Sequence, residues 1–122
     1  MQVSRKKINP AVKNQTYNLL HKVIADIKNP DEAKEFLDSF LGKSEQEIIA
    51  RRLSIAYLLS KGKTYSFIKK NLAVSSTTVA TIAKQINKGK GFKVALEKIQ
   101  ADEWAEKWAK KINQMFKRRK QS

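Results

Sequence analysis

The residues able to do chemistry in this 122-residue chain sit close together. Ser75, Ser76, Thr77, Thr78, Ala80 and Thr81 form a run of small side chains, with Lys69 and Lys70 before it and Lys84, Lys88 and Lys90 after it. Short hydroxyls and methyls suit the edges of nucleic-acid bases, and lysines suit phosphates. On this reading Thr77, Thr78, Ala80 and Thr81 meet base edges. Ser75, Ser76, Lys69, Lys70, Lys84, Lys88 and Lys90 meet phosphates. That chemistry is recognition, without bond making or breaking. The groups an enzyme would need are missing from the neighbourhood. There is no cysteine, and the single histidine, His21, falls beside Leu20 and Val23 in a helical apolar pattern that suits a structural role. Metal-assisted cleavage of a phosphodiester needs carboxylate or histidine ligands at the scissile phosphate. Gly89-Lys90-Gly91-Phe92 lacks the spacing of a phosphate-binding loop. No catalytic residue, metal or cofactor is expected.

The charge pattern names the partner. From Ile48 to Leu96 there is no Asp or Glu, while the same window holds Arg51, Arg52, Lys61, Lys63, Lys69, Lys70, Lys84, Lys88, Lys90 and Lys93. All 11 acids lie outside it, and the formal net charge is +15. A solvated face normally mixes both signs, so a one-signed window of this length implies a polyanion. Double-stranded DNA is the first candidate. An anionic membrane surface is the second, but no apolar run approaches the roughly 18 residues of a spanning helix. The opening MQVSRKKINP also lacks the apolar stretch of a secretory signal. The absence of cysteine excludes disulfides and suits a reducing compartment. A cytoplasmic, nucleoid-associated protein with no membrane partner is expected.

These groups must be carried by helices. Asn9-Pro10 and Asn29-Pro30 each read as a helix cap followed by Pro at the first helical position. Val12, Leu19, Leu20, Val23, Ile24 and Ile27 follow the first signal with helical spacing. Phe36, Leu37, Phe40 and Leu41 follow the second, and Gly42 is expected to stop that helix. Ser44-Glu45-Gln46-Glu47 has the form of a capping box. It opens a helix expected to bury Ile48, Ile49, Leu53 or Arg52, Ile55, Ala56, Leu58 and Leu59, and to end at Gly62. Thr64 and Ser75 are expected to cap two short helices. Gly89 and Gly91 mark a break, and a last helical region runs from Phe92 to about Phe116, with an interruption near Ala101-Asp102. The fold class is all-α. The domain layout is 1–101, with a helix-turn-helix motif at 64–87, followed by a C-terminal amphipathic basic helix or extension at 102–122.

The two short helices read as a helix-turn-helix. Its apolar positions fall on Ile68, Leu72, Val74, Val79 and Ile82, all of the right type. Two positions depart from the usual pattern: Ala73 stands where the turn normally has Gly, and Lys69 where a small residue is usual. At about 100° per residue, Val79, Ile82, Ala83 and Ile86 share one side of the second helix. Thr77, Thr81, Lys84 and Lys88 lie opposite, flanked by Thr78, Ala80 and Gln85. A helix of this composition suits the DNA major groove. A basic RNA- or ribosome-associated protein, or an architectural or replication-related one, is the alternative. RNA binding usually uses exposed aromatics, and Tyr57, Tyr65 and Phe92 fall on expected core positions.

Three segments in order carry a family resemblance: FLDSFLGKSEQEIIARRLSIAYLLSKGKTYSFI, AVSSTTVATI and KGKGFKVALEKI. They resemble the Trp-repressor superfamily, most closely its tryptophan-repressor-like branch of the YerC/YecD type, over about Phe36 to Ile99. The resemblance implies a multi-helix domain, a homodimer of interlocked helices and transcriptional regulation. It places Thr81 where the branch usually has Arg, and Thr77 where it has Ala. It also implies that the two-arginine clamp of ligand-regulated Trp repressors is incomplete. Arg52 matches the first arginine, but the second falls at Thr81.

The ends lie outside that resemblance or at its margin. In ADEWAEKWAKKINQMFKRRK, Asp102, Glu103 and Glu106 come early and Lys117, Arg118, Arg119 and Lys120 come late, an order that complements a helix macrodipole. Trp104, Trp108, Ile112 and Met115/Phe116 form one stripe. It is expected to pack on the dimer core, with a dock for a partner protein through Trp104 and Trp108, or for a membrane surface, as the alternative. The apolar residues of the first helix are expected to pack across a dimer, with Asp26, Glu32, Glu35 and Asp38 on a solvated face.

Overall fold

The computed structural model describes residues 6–121, excepting the side chains of 116 and 118–121. Six α-helices and no strand occur among the described residues: α1 (Pro10–Asp26), α2 (Pro30–Phe40), α3 (Lys43–Ser60), α4 (Tyr65–Leu72), α5 (Ser76–Lys88) and α6 (Lys90–Gln121). The fold is all-α, as the periodicity implies. Two compact units emerge, Met1–Lys43 and Ser44–Ser122.

In the first unit both Asn-Pro signals start helices. The Asn9 side chain accepts from the Ala11 N–H at 2.9 Å, and Asn29 accepts from the Glu32 N–H at 2.8 Å. Proline follows each cap at no cost, since the N–H it lacks has no partner in a first turn. Asp31 and Glu32 add favourable charge at the start of α2. The end of α2 differs from expectation. Leu41 leaves the helix in an extended conformation (φ −123°, ψ 142°), and Gly42 does not take the left-handed conformation of a glycine stop. Neither α1 nor α2 buries a residue: Leu19 is 66% exposed and Phe40 73%.

The second unit is built around α3, α4, α5 and the first turns of α6. Helix α3 begins at Lys43, one residue before the expected cap, so Ser44 is already helical; Glu47 pairs forward with Arg51 at 2.7 Å. Its C-terminus is a Schellman turn. The Lys63 N–H donates to the Leu58 carbonyl at 3.1 Å and the Gly62 N–H to that of Leu59 at 3.0 Å, while Gly62 sits at φ +77°. Thr64 caps α4 by accepting from the Phe67 N–H at 3.1 Å, and Ser75 caps α5 by accepting from the Thr78 N–H at 3.1 Å.

The core is small and lies within the motif. Ile55 and Ala56 of α3, Ile68 of α4, and Val79 and Ile82 of α5 are buried. Leu58, Leu59, Leu72, Val74, Ile86, Phe92 and Leu96 pack around them. The five apolar motif positions therefore hold the helix-turn-helix together as expected. Three residues expected inside are not: Ile48, Ile49 and Leu53 are exposed. Tyr65 is exposed as well, at 44%, so of the three aromatics only Tyr57 and Phe92 are partly covered.

The turn between α4 and α5 stores strain. Ala73 holds the left-handed conformation (φ 52°, ψ 51°) that its position demands. An L-residue loses about 1–2 kcal/mol there, and glycine returns about 0.4–1 kcal/mol of that through the entropy of the unfolded chain. Ala73→Gly is therefore expected to raise the unfolding free energy by about 0.5–1 kcal/mol. A urea midpoint that stays put or falls would mean that the turn is not strained.

Helix α6 runs unbroken through Ala101 and Asp102, where an interruption was expected. Its first half packs by Phe92, Ala95, Leu96 and Ile99, all partly covered. One turn further on, Glu103 extends the same side. It accepts from the Tyr57 hydroxyl and, at 2.7 Å, from the Lys61 ammonium. Hydrogen bonds from Lys61 and Tyr57 hold the Glu103 carboxyl below its ordinary range, and those to Glu103 push the Lys61 ammonium and the Tyr57 phenol up. The tryptophan stripe does not join the core of its own chain. Trp104, Trp108, Ile112 and Met115 are exposed, on the side of α6 turned away from Phe92, Leu96 and Glu103.

Candidate nucleic-acid interface

Helix α5 divides along its length. Val79 and Ile82 are held in the core, with Ala83 and Ile86 partly covered. That fixes the outward direction, and Thr77, Thr78, Thr81, Lys84, Gln85 and Lys88 are all exposed along it. Ala80 is half-covered, so its methyl lies at the margin of this surface.

The hydroxyls differ in how free they are. Thr81 Oγ1 donates to the Thr77 carbonyl at 2.8 Å. Its methyl and its lone pairs remain available at the surface. Ser75 Oγ accepts the Thr78 N–H and lies 2.9 Å from Thr78 Oγ1. Those two side chains are thus committed to the start of α5, and a partner would compete with the cap. Ser76 is the first residue of α5 and exposed, beside N–H groups that have no helical acceptor.

The lysines are available. Lys69 and Lys70 stand in the last turn of α4, and Lys90 opens α6. Among the described residues, none of Lys69, Lys70, Lys84, Lys88 and Lys90 is ion-paired. Within the acid-free window Arg51 and Lys61 are the exceptions, paired with Glu47 and Glu103 from outside it. The structure thus brings together the threonines of α5 with Lys84 and Lys88 on one helix face, and sets Lys69, Lys70 and Lys90 at the neighbouring helix ends.

Two concavities border this surface, and sequence reasoning located neither. One is an open depression of about 540 Å³ lined by Thr81, Lys84, Gln85, Lys88, Gly89 and Phe92. It exists because α6 tucks in tightly at Gly89. A Cβ there would lie 3.0 Å from Phe92 Cδ2 and 3.1 Å from the Gln85 carbonyl oxygen, whereas one on Gly91 would meet nothing within 4 Å. Gly89 alone makes the break, and Gly91 lies within α6. The other is a cleft of about 350 Å³ between α3 and the start of α5, lined by Ile48, Arg51, Arg52, Ile55, Ala73, Val74, Ser75 and Thr78. Arg52 lines this cleft and Thr81 lines the other depression. The two clamp positions therefore do not line one cavity.

The profile of the family described as "Trp repressor protein" matches residues 15–100, which extends the resemblance upstream into α1. The chain is 27% identical over 81 residues to the uncharacterized protein YerC of Bacillus subtilis (strain 168), covering 66% of this chain and 78% of that protein. It is also similar to the crystal structure of a TrpR-like protein from Eubacterium eligens ATCC 27750. There the TM-score is 0.66 at 25% identity, over 75% of this chain and 96% of the other. The residues beyond 100 lie outside the family match.

Proposed function

Because the chain belongs to the Trp repressor protein family, a family of DNA-binding regulators and not of enzymes, we propose that it is a sequence-specific transcriptional regulator acting as a homodimer. Helix α5 enters the major groove, with Thr77, Thr78, Ala80 and Thr81 at base edges. Ser75, Ser76, Lys69, Lys70, Lys84, Lys88 and Lys90 contact phosphates. The observation that carries this reading is the exposed threonine–lysine face of α5, held outward by Val79 and Ile82, with no acid anywhere in the surrounding window. Dimerisation is supported by the first two helices, which bury nothing in a single chain and leave Val12, Leu19, Leu20, Val23 and Ile24 in solvent. Surfaces of that kind mark association. No described helix is long and apolar enough to cross a membrane, and a nucleoid location follows from the DNA partner.

Selection of bound duplexes from a random pool tests the reading, with a two-fold symmetric site as the expected outcome. On that site Thr81→Ala should weaken binding by about 1–3 kcal/mol, and on random DNA by much less. Equal losses on both would reassign Thr81 to positioning or folding, and a pool without enrichment would remove sequence specificity.

Free tryptophan should leave duplex binding unchanged. The second clamp position, Thr81, lines a different depression and carries no cation, and the other arginine in the cleft of Arg52, Arg51, is already paired with Glu47 at 2.7 Å. A ligand carboxylate with one partner would lose much of its hydration uncompensated. Calorimetric titration should give a Kd above about 1 mM, equivalent to less than about 4 kcal/mol. Saturation at micromolar tryptophan would show a pocket built from other residues, and Arg52 would be the first to replace.

A further inference from the structure

Two unpartnered apolar surfaces of this protein are complementary in charge. The first is the stripe on α6. Trp104 and Trp108, with ring centroids 5.7 Å apart, continue to Ile112 and Met115, all exposed. Lys107 and Lys111 flank the stripe along one edge, while Asp102, Glu103 and Glu106 fall on the far side of the helix. The second surface is a concavity of about 430 Å³ formed by α1 and α2. Its apolar wall is Val23, Ile27, Phe36 and Phe40, the two rings stacked at 4.9 Å. Its rim is Asp26, Glu32 and Glu35. Each surface offers an aromatic pair spaced one helical turn apart, so side chains on one helix can seat between those on the other. One rim is cationic and the other anionic.

We propose that the α6 stripe of one copy docks into the α1–α2 concavity of a second copy, with Lys107 and Lys111 against Asp26, Glu32 and Glu35. Two α6 stripes paired with each other in antiparallel fashion would set Lys107 and Lys111 against their own copies, which is unfavourable. The acid-rimmed concavity removes that conflict. It also explains an addition to the family domain: the stripe lies beyond residue 100, where the family match stops. The extension thus adds a second element to the dimer. This proposal rests on the homodimer reading above, and its test separates the two.

Nitrogen-15-labelled and unlabelled full-length chains are unfolded, refolded together and treated with a zero-length carbodiimide cross-linker. Lys107 or Lys111 should be joined to Asp26, Glu32 or Glu35 in mixed-isotope pairs. In sedimentation equilibrium, Trp104→Ala/Trp108→Ala should weaken self-association at least about tenfold, a loss of about 1.4 kcal/mol, with its circular dichroism unchanged. Glu32→Lys/Glu35→Lys should weaken it similarly, and adding Lys107→Glu/Lys111→Glu to that variant should restore it. Cross-links confined to single-isotope pairs would overturn the proposal, as would unaltered association of the tryptophan variant or failure of the charge swap to rescue. In those cases a wild-type dimer that still binds its duplex site leaves the functional reading standing. A wild type that stays monomeric at micromolar concentration overturns both.

Discussion

Affinity for duplex DNA is expected to fall by about 10³ to 10⁵ between about 50 and 200 mM salt. The candidate cations are Lys69, Lys70, Lys84, Lys88 and Lys90, none of them ion-paired among the described residues. If each subunit neutralises about three to five phosphates, a dimer neutralises about six to ten, and each contributes a slope of about −0.9 in log K against log salt. Replacing Lys84 by Gln removes one contact per subunit and should flatten the slope by roughly 2, on specific and random duplexes alike. The loss should be uniform because phosphate contacts position the protein without reading sequence. Thr81→Ala should behave in the opposite way, changing affinity on one site and leaving the slope alone. A nearly flat salt response would mean that the acid-free window serves some other purpose. A slope that ignores Lys84 would move the backbone contact elsewhere.

The second large effect is on stability. Ile68→Ala should lower the unfolding free energy by about 2–5 kcal/mol. Ile68 is completely buried, in a cluster whose other fully enclosed members are Ile55, Ala56 and Val79, with Ile82 nearly so. Few residues share the load, so the neighbours have little freedom to collapse into the space left behind. Small domains are stable by only about 5–15 kcal/mol in total, so this one truncation removes a large part. The same cluster fixes the direction of α5, so DNA binding by the variant should weaken in proportion to the unfolded fraction and recover on cooling toward maximum stability. Chemical denaturation of the variant against the wild type measures the first effect. A loss under about 1 kcal/mol would show that the cluster is not the core that holds the motif.

Much of both units was legible in the sequence because the signals are local. Asn9, Asn29, Thr64 and Ser75 each cap the helix expected of them, through hydrogen bonds spanning two or three residues. Gly62 takes the left-handed conformation that ends α3. The motif's apolar positions fell correctly because α5 has one apolar side, and burying it points Thr77, Thr81, Lys84 and Lys88 outward. Capping and helical period are properties of a few consecutive residues, so no distant contact is needed to read them.

Other features were decided by tertiary structure. Helix α6 has two apolar sides, one with Phe92, Leu96 and Ile99 and one with Trp104, Trp108 and Ile112. Periodicity gives the angle between them but not which side meets α5. The core takes the first because Gly89 lets Phe92 approach and Glu103 reaches Tyr57 and Lys61, residues more than 40 positions away. Tyr65, Ile48, Ile49 and Leu53 read as core by type, yet they stand outside the small cluster and are exposed. Arg52 and Thr81 belong to different concavities, a separation set by how α3 and α6 flank α5. Composition and spacing thus determined an all-α, basic, helix-turn-helix protein with a threonine–lysine face. Which apolar surfaces stay in solvent was settled by packing, because a surface is exposed or covered only relative to neighbours that the local sequence does not specify.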